Sequence, residues 1–163
     1  MVFAAVVLGR AAVLDGKNVL QTQAYGAEAR GSLTKSEVII SEDKIGFPAV
    51  RKSDVLVTMS QEATNELVKD LRETGALVVD STSVKEIPPA KATILLYRAT
   101  ETAKRVFGDG LYANMIMLGA LLQEFRLVET ESVEEAIRES SAKKNVDTNL
   151  KAFREGLRLP PDR

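Results

Sequence analysis

The sequence predicts an α/β fold, a three-layer αβα arrangement around an open sheet, and three observations carry that prediction. Residues 54–60 (DVLVTMS) and 76–79 (ALVV) are nearly continuous apolar runs of strand length, the pattern of strands buried on both faces. Between them Ala63, Leu67 and Leu71 recur at helical spacing, opened by Ser60 as a cap and closed by Gly75. Strand, helix and strand at this spacing make a βαβ unit, and its crossover is expected to be right-handed. Third, Pro88 and Pro89 precede another short strand at 92–97 (ATILLY), after which the chain reads as C-terminal helices. A length of 163 residues fits a single domain over 1–163 with its own core, ending in a tail at 157–163 that contains Pro160 and Pro161 and is free to lie on a partner.

The elements follow in order. Residues 1–14 (MVFAAVVLGRAAVL) are apolar almost all round, as in a helix buried between layers, and Gly16 is placed to end it. The run is too short to span a bilayer, and Arg10 inside it argues against a signal peptide. A strand at 18–24 leads into the loop YGAEARGS, and residues 36–41 (SEVIIS) form the next strand, either as its antiparallel partner or at the end of a longer excursion. Ile45-Gly46-Phe47-Pro48 is a turn or extended segment. A short helix at 100–106, a turn at Gly108-Asp109-Gly110 and a strongly apolar helix at 111–125 come after the sheet. In that last helix Ala113, Gly119 and Ala120 would let another backbone approach closely, while Met115 and Met117 fill core gaps. Ser132 and Glu135 are spaced as a capping box for a helix to about Ser140. Asn145 caps a final helix with Val146, Leu150, Phe153 and Leu157 on one stripe.

Composition excludes several functions. The 22 basic and 23 acidic residues leave a net charge of −1, with no electrostatic footprint for nucleic acid. The chain has no cysteine and no histidine, so it supplies no thiolate for an iron–sulfur cluster, no structural zinc site of the usual kind and no His general base. No Gly-rich phosphate loop, metal cluster or activated nucleophile is recognisable, and neither a catalytic residue nor a metal ligand is expected. Absence of Cys is consistent with a cytoplasmic protein.

Three places remain as candidate contact sites. The loop after the first strand carries Tyr25, Gly26, Glu28, Arg30 and Gly31. Its glycines allow positive φ and close approach, and the Arg30 fork suits a carboxylate or phosphate. The plain alternative is a surface turn with a weak ion pair. Ser60, Gln61 and residues 80–83 (DSTS) fall where ligands bind α/β sheets, outside the carboxyl ends of strands; the alternative is helix capping and an ordinary polar loop. Asn114 is either a structural tie or part of a contact surface.

The segments QTQAYGAEARGS, SEVIIS, DVLVTMSQEA, ALVVDS and YANMIMLGAL, in this order, resemble the gamma subunit of the 2-oxoacid:ferredoxin (acceptor) oxidoreductases, in the form closest to the 2-oxoglutarate type. The resemblance covers nearly the whole chain. It implies a subunit of a complex that oxidatively decarboxylates a 2-oxoacid to an acyl-CoA on thiamine diphosphate and reduces ferredoxin through iron–sulfur clusters, inactive alone. Alpha, beta and ferredoxin-like delta subunits would be the partners and would carry the thiamine and the clusters. The loop at Tyr25 to Gly31 would face the catalytic subunits and coenzyme A. Members of the family begin with a strand and a GxGGQG loop ahead of the helix that opens this sequence, so a first strand is expected to be missing here. The loop also reads YGAEARGS where the family has YGPEARGG, which changes Ala27 and Ser32. A pyruvate or branched-chain 2-oxoacid member is one alternative. A non-catalytic binding or assembly protein of the same fold is another, and a homodimer in isolation is left open.

Overall fold

The computed structural model describes residues 1–25 and 34–162, with only the backbone at Tyr25. The order of elements is α1 (Val2–Leu14), β1 (Asn18–Tyr25), β2 (Thr34–Ser41), β3 (Ser53–Thr58), α2 (Gln61–Leu67), β4 (Leu71–Asp80), β5 (Thr93–Tyr97), α3 (Ala99–Phe107), α4 (Ala113–Phe125), α5 (Thr130–Ser140) and α6 (Val146–Gly156).

Among the described residues the strands form two sheets. β3, β4 and β5 are parallel in that order, with Leu56 opposite Leu77 and Val78 opposite Leu95. β1 and β2 make a separate antiparallel pair from Asn18↔Ser41 to Tyr25↔Thr34, which decides the pairing that sequence alone leaves open. Strand alternation sends Val55, Val57, Val78 and Leu95 to one face of the parallel sheet, where Tyr97 and helices α1 and α3–α6 complete the main core. Leu56, Leu77, Val79 and Leu96 go to the other, smaller core with Leu71, Val68, Val84 and Ile87. The second face is closed by α2, whose buried Thr64 hydroxyl lies 2.9 Å from that of Thr58, and by the irregular segment 84–92. The three-layer reading therefore holds, with one thin layer.

Helix α1 is buried on most of its circumference, through Ala4, Val7, Leu8, Gly9, Ala11 and Ala12, between the β1–β2 pair, α4 and α5. Gly16 adopts φ +78°, and the N–H groups of Gly16 and Lys17 return to Val13 O and Ala12 O at 2.9 Å each, closing the helix as expected. Asp15 then reaches across the chain, its carboxylate accepting the Glu129 N–H at 2.7 Å and the Ser132 hydroxyl.

Helices α4 and α6 cross almost backbone to backbone. A Cβ on Gly119 would lie 2.2 Å from Phe153 O, and one on Gly156 would lie 2.0 Å from Ile116 O. The close approach anticipated at Gly119 is real, and Gly156 is its counterpart.

Three expectations are corrected. The helix after Ser60 stops at Leu67; a 3-10 turn at Val68–Asp70 follows, and Leu71 and Gly75 belong to β4. Pairing passes from Ser53↔Leu71 to Val55↔Ala76, so β4 bulges by several residues, and Gly75 sits where a Cβ would be 2.6 Å from Asp54 O. Burial of Leu71 in the smaller core outweighs the helical spacing that links it to Leu67. The capping box is not formed either: α5 begins at Thr130, Ser132 bonds to Asp15, and Glu135 pairs with Arg138 at 3.2 Å. Asn145 does precede α6, but its side chain makes no capping bond; it ends a 3-10 turn at Lys143–Asn145.

Candidate functional site

The carboxyl ends of β3, β4 and β5 bring most of the predicted edge residues together. After β3, Ser60 is extended and its hydroxyl accepts the Ala63 N–H at 3.3 Å, the capping role. Gln61 ties α2 to the loop beyond β4: its Oε1 accepts from the N–H groups of Lys85 (2.9 Å) and Glu86 (3.0 Å), while Nε2 donates to Glu86 O at 2.6 Å. Every polar atom of the Gln61 amide is thereby used within the chain.

Asp80, at the end of β4, is fully buried. Burying a carboxylate demands donors, and four surround it: the Thr82 N–H (3.2 Å), the Ser83 hydroxyl (3.4 Å), the Thr100 N–H (3.3 Å) and the Thr100 hydroxyl (2.5 Å). Asp80 thus fastens the β4 loop to the first turn of α3, and Thr82 adds to it by accepting the Glu101 N–H at 3.2 Å. The DSTS run is a strut whose Asp80 carboxylate and Thr82 hydroxyl accept from their own chain.

After β5, Arg98 precedes α3 and pairs with Asp162 of the C-terminal segment at 2.9 Å and with Glu101 at 3.7 Å. Hydrogen bonding to Asp162 holds the Arg98 guanidinium above its ordinary range. The Asp162 carboxylate also accepts the Ser81 hydroxyl at 3.1 Å, and its N–H donates to Leu96 O at 2.6 Å. The tail therefore lies along its own sheet edge. Arg98, Thr100 and Asp162 carry no motif in the sequence; Thr100 alone leaves a signal, a threonine at the start of an apolar-periodic segment.

Of the other predicted residues, Asn114 is held within its own helix and the rest lie at the end of β1 or outside the described residues. Asn114 lies half-buried in the first turn of α4, where its Oδ1 accepts the Met115 N–H at 2.8 Å, a local tie. Gly26, Glu28, Arg30 and Gly31 lie outside the described residues, and of Tyr25 only the backbone, paired with Thr34, is described. The strand pair that leads to that loop is polar on its open ladder: Thr22 donates to Glu37 at 3.3 Å, and Lys35 pairs with Glu37 at 2.5 Å. Those partners hold the Glu37 carboxyl below its usual range against the opposing effect of burial, which is the largest single influence on it.

Chemically, the donor set of this chain does not fit an iron–sulfur cluster, because it contains no thiolate or imidazole. Among the described residues no group of three Asp or Glu is placed to hold a metal ion, and no helix is long and apolar enough to cross a membrane.

Comparison with known proteins gives a consistent picture. The sequence profile of the pyruvate ferredoxin/flavodoxin oxidoreductase family matches residues 1–159. The 2-oxoglutarate synthase subunit KorC of Methanocaldococcus jannaschii is 42% identical over 162 residues, covering 98% of this chain and 87% of that protein. The common gamma subunit of the pyruvate and ketoisovalerate oxidoreductases of Thermococcus litoralis is 30% identical, covering 96% and 88%. Among solved structures, the gamma subunit of a keto/oxoacid ferredoxin oxidoreductase from Geobacter sulfurreducens superposes with a TM-score of 0.84 at 36% identity, covering 95% of this chain and 88% of that one.

Proposed function

Because the chain belongs to the pyruvate ferredoxin/flavodoxin oxidoreductase family, we propose that it is the gamma subunit of a 2-oxoglutarate:ferredoxin oxidoreductase. In this reading the complex converts 2-oxoglutarate, coenzyme A and oxidised ferredoxin to succinyl-CoA, carbon dioxide and reduced ferredoxin. The observation that carries the substrate is the identity gradient, 42% to a 2-oxoglutarate synthase subunit against 30% to a pyruvate/ketoisovalerate subunit, each over nearly the full chain.

Alpha, beta and ferredoxin-like delta subunits carry the thiamine diphosphate and the clusters, and this chain works in the cytoplasm as their structural partner. Its lack of Cys and His agrees with that division of labour. Tyr25, Gly26, Glu28, Arg30 and Gly31 form the contact towards the catalytic subunits and coenzyme A, with Arg30 making a charge-assisted bond. Ser60 and Gln61 serve that face indirectly, by fixing α2 and the 84–92 segment.

The test is reconstitution. The purified chain alone reduces no viologen dye; added to its partner subunits it restores dye reduction that requires both 2-oxoglutarate and coenzyme A. Equal or greater rates with pyruvate or 2-oxoisovalerate would reassign the substrate. Failure to assemble with thiamine-binding and cluster-bearing subunits would remove the proposal.

A further inference from the structure

The face of α3 turned to the C-terminal segment presents Arg98, Glu101, Thr102 and Arg105, spaced i, i+3, i+4 and i+7 as one stripe of a helix. Leu159, Pro160, Pro161 and Asp162 supply the opposite wall of a cleft of about 240 Å³. Asp162 joins the walls: one carboxylate oxygen accepts from Arg98 Nε at 2.9 Å and from the Ser81 hydroxyl at 3.1 Å. A guanidinium with a neighbouring hydroxyl is the donor set that carboxylates and phosphates take.

The attraction does not come from the helix terminus. The first amides of α3 are already taken, Thr100 N–H by Asp80 and Glu101 N–H by Thr82. It comes from side chains. With Asp162 in place, two cations, Arg98 and Arg105, face two carboxylates, Asp162 and Glu101; with Asp162 withdrawn, the cations are in excess. The Arg105 side chain, about two turns along from Arg98, has no hydrogen bond or ion pair among the described residues. Asp162 itself rides on a segment without helix or strand, and its carboxylate meets Arg98 in an ion pair whose guanidinium side is exposed to water.

We propose that this cleft is an oxyanion site for a phosphate or carboxylate group, and that the Asp162 carboxylate is its internal stand-in, which such a ligand displaces from Arg98 and Ser81 while the tail backbone stays as the far wall. The site is independent of the subunit assignment above.

The experiment uses the full chain, isotopically labelled and titrated at constant ionic strength with inorganic phosphate in one arm and succinate in the other. The backbone amides of Ser81, Arg98, Thr102 and Arg105 are followed by NMR. Asp162→Asn keeps the side-chain length and the bond to Leu96 but removes the charge. It is expected to bind at least tenfold more tightly than the wild type, with shifts concentrated at those four residues. Asp162→Ala, which also clears the carboxamide, should do the same, and adding Arg98→Gln to either should abolish the gain. Response to phosphate, to succinate or to both identifies the ligand class. Affinities for both anions no higher in Asp162→Asn and Asp162→Ala than in the wild type, or undiminished by Arg98→Gln, would overturn the proposal.

Discussion

Replacing Gly119 by alanine should destabilise the protein, although the same change in an exposed helix interior would stabilise it. The new Cβ would stand 2.2 Å from Phe153 O, 2.7 Å from Leu157 N and 2.8 Å from Gly156 C, all backbone atoms that cannot rotate away. An unstrained C···O approach needs roughly 3.3 Å, so α6 must retreat from α4 by roughly 1 Å. That movement loosens the fully buried Ile116, Met117 and Phe153 together. Overpacking of this type costs about 3 kcal/mol, offset by about 1 kcal/mol from the better helix propensity of alanine. The net loss of about 2 kcal/mol corresponds to a Tm lower by roughly 4–8 °C for a domain of this size. Differential scanning calorimetry of wild type and Gly119→Ala decides it. An unchanged or raised Tm would mean that α4 and α6 are not in backbone contact, and the packing argument would fall.

Other perturbations have equally definite outcomes. Asp80→Ala removes the acceptor for two backbone N–H groups and two hydroxyls, and should lower stability by about 2–4 kcal/mol, read as a shift of the urea midpoint; a shift no larger than that of an exposed Asp→Ala control would refute the strut. Tyr97 is buried, and burial, reinforced by its bond to Glu124 at 2.6 Å, raises its phenol above the ordinary range. The neutral form is favoured on folding, so this stability is complete below a pH of about 10 and lost as pH rises beyond it; spectrophotometric titration should show Tyr97 ionising after the ordinary tyrosine range and only with unfolding, and Tyr97→Phe should flatten the alkaline loss. Glu134 is lowered chiefly by its bond to Arg154, with Arg138 adding to it and burial opposing. Its contribution is present above about pH 4.3 and lost as pH falls through the depressed value, so Glu134→Gln should lower Tm by roughly 1–3 °C at neutral pH and by progressively less as the pH is taken down through the acid range. Finally, Arg30→Ala should weaken complex assembly or activity without changing the Tm of the isolated chain; equal activity and equal subunit affinity would remove Arg30 from the contact loop.

What the sequence discloses follows the range over which its signals act. The strands near Val55 and Val78 are legible because burial on both faces leaves a continuous apolar run, and Gly16 is legible because helix closure is local. Gly119 shows as a small residue in an apolar helix, but its counterpart Gly156 sits in a segment polar enough to conceal the crossing. Leu71 and Gly75 mislead because a leucine four residues after Leu67 and a glycine four further on imitate a helix end, whereas a bulge against Asp54 sets their conformation. At the sheet edge, Ser60 and residues 80–83 are placed by the βαβ pattern alone. Their partners are not: Asp80 finds Thr100 twenty positions away, and Arg98 finds Asp162 sixty-four positions away, distances across which no periodicity communicates.

The reach of Asp15 to Glu129 and Ser132 bears on how the chain is made. The groups it joins are separated by 114 and 117 positions. At ordinary elongation rates, roughly 6–23 s pass between synthesis of that aspartate and emergence of its partners. For most of that interval α1, with Ala4, Val7, Leu8 and Ala11 destined for the core, has only the β1–β2 pair to cover it, since α4 and α5 come at its end. This apolar helix is thus fully enclosed only once the chain more than a hundred positions downstream has been made, and closing α1 into the core is a late event in building the domain.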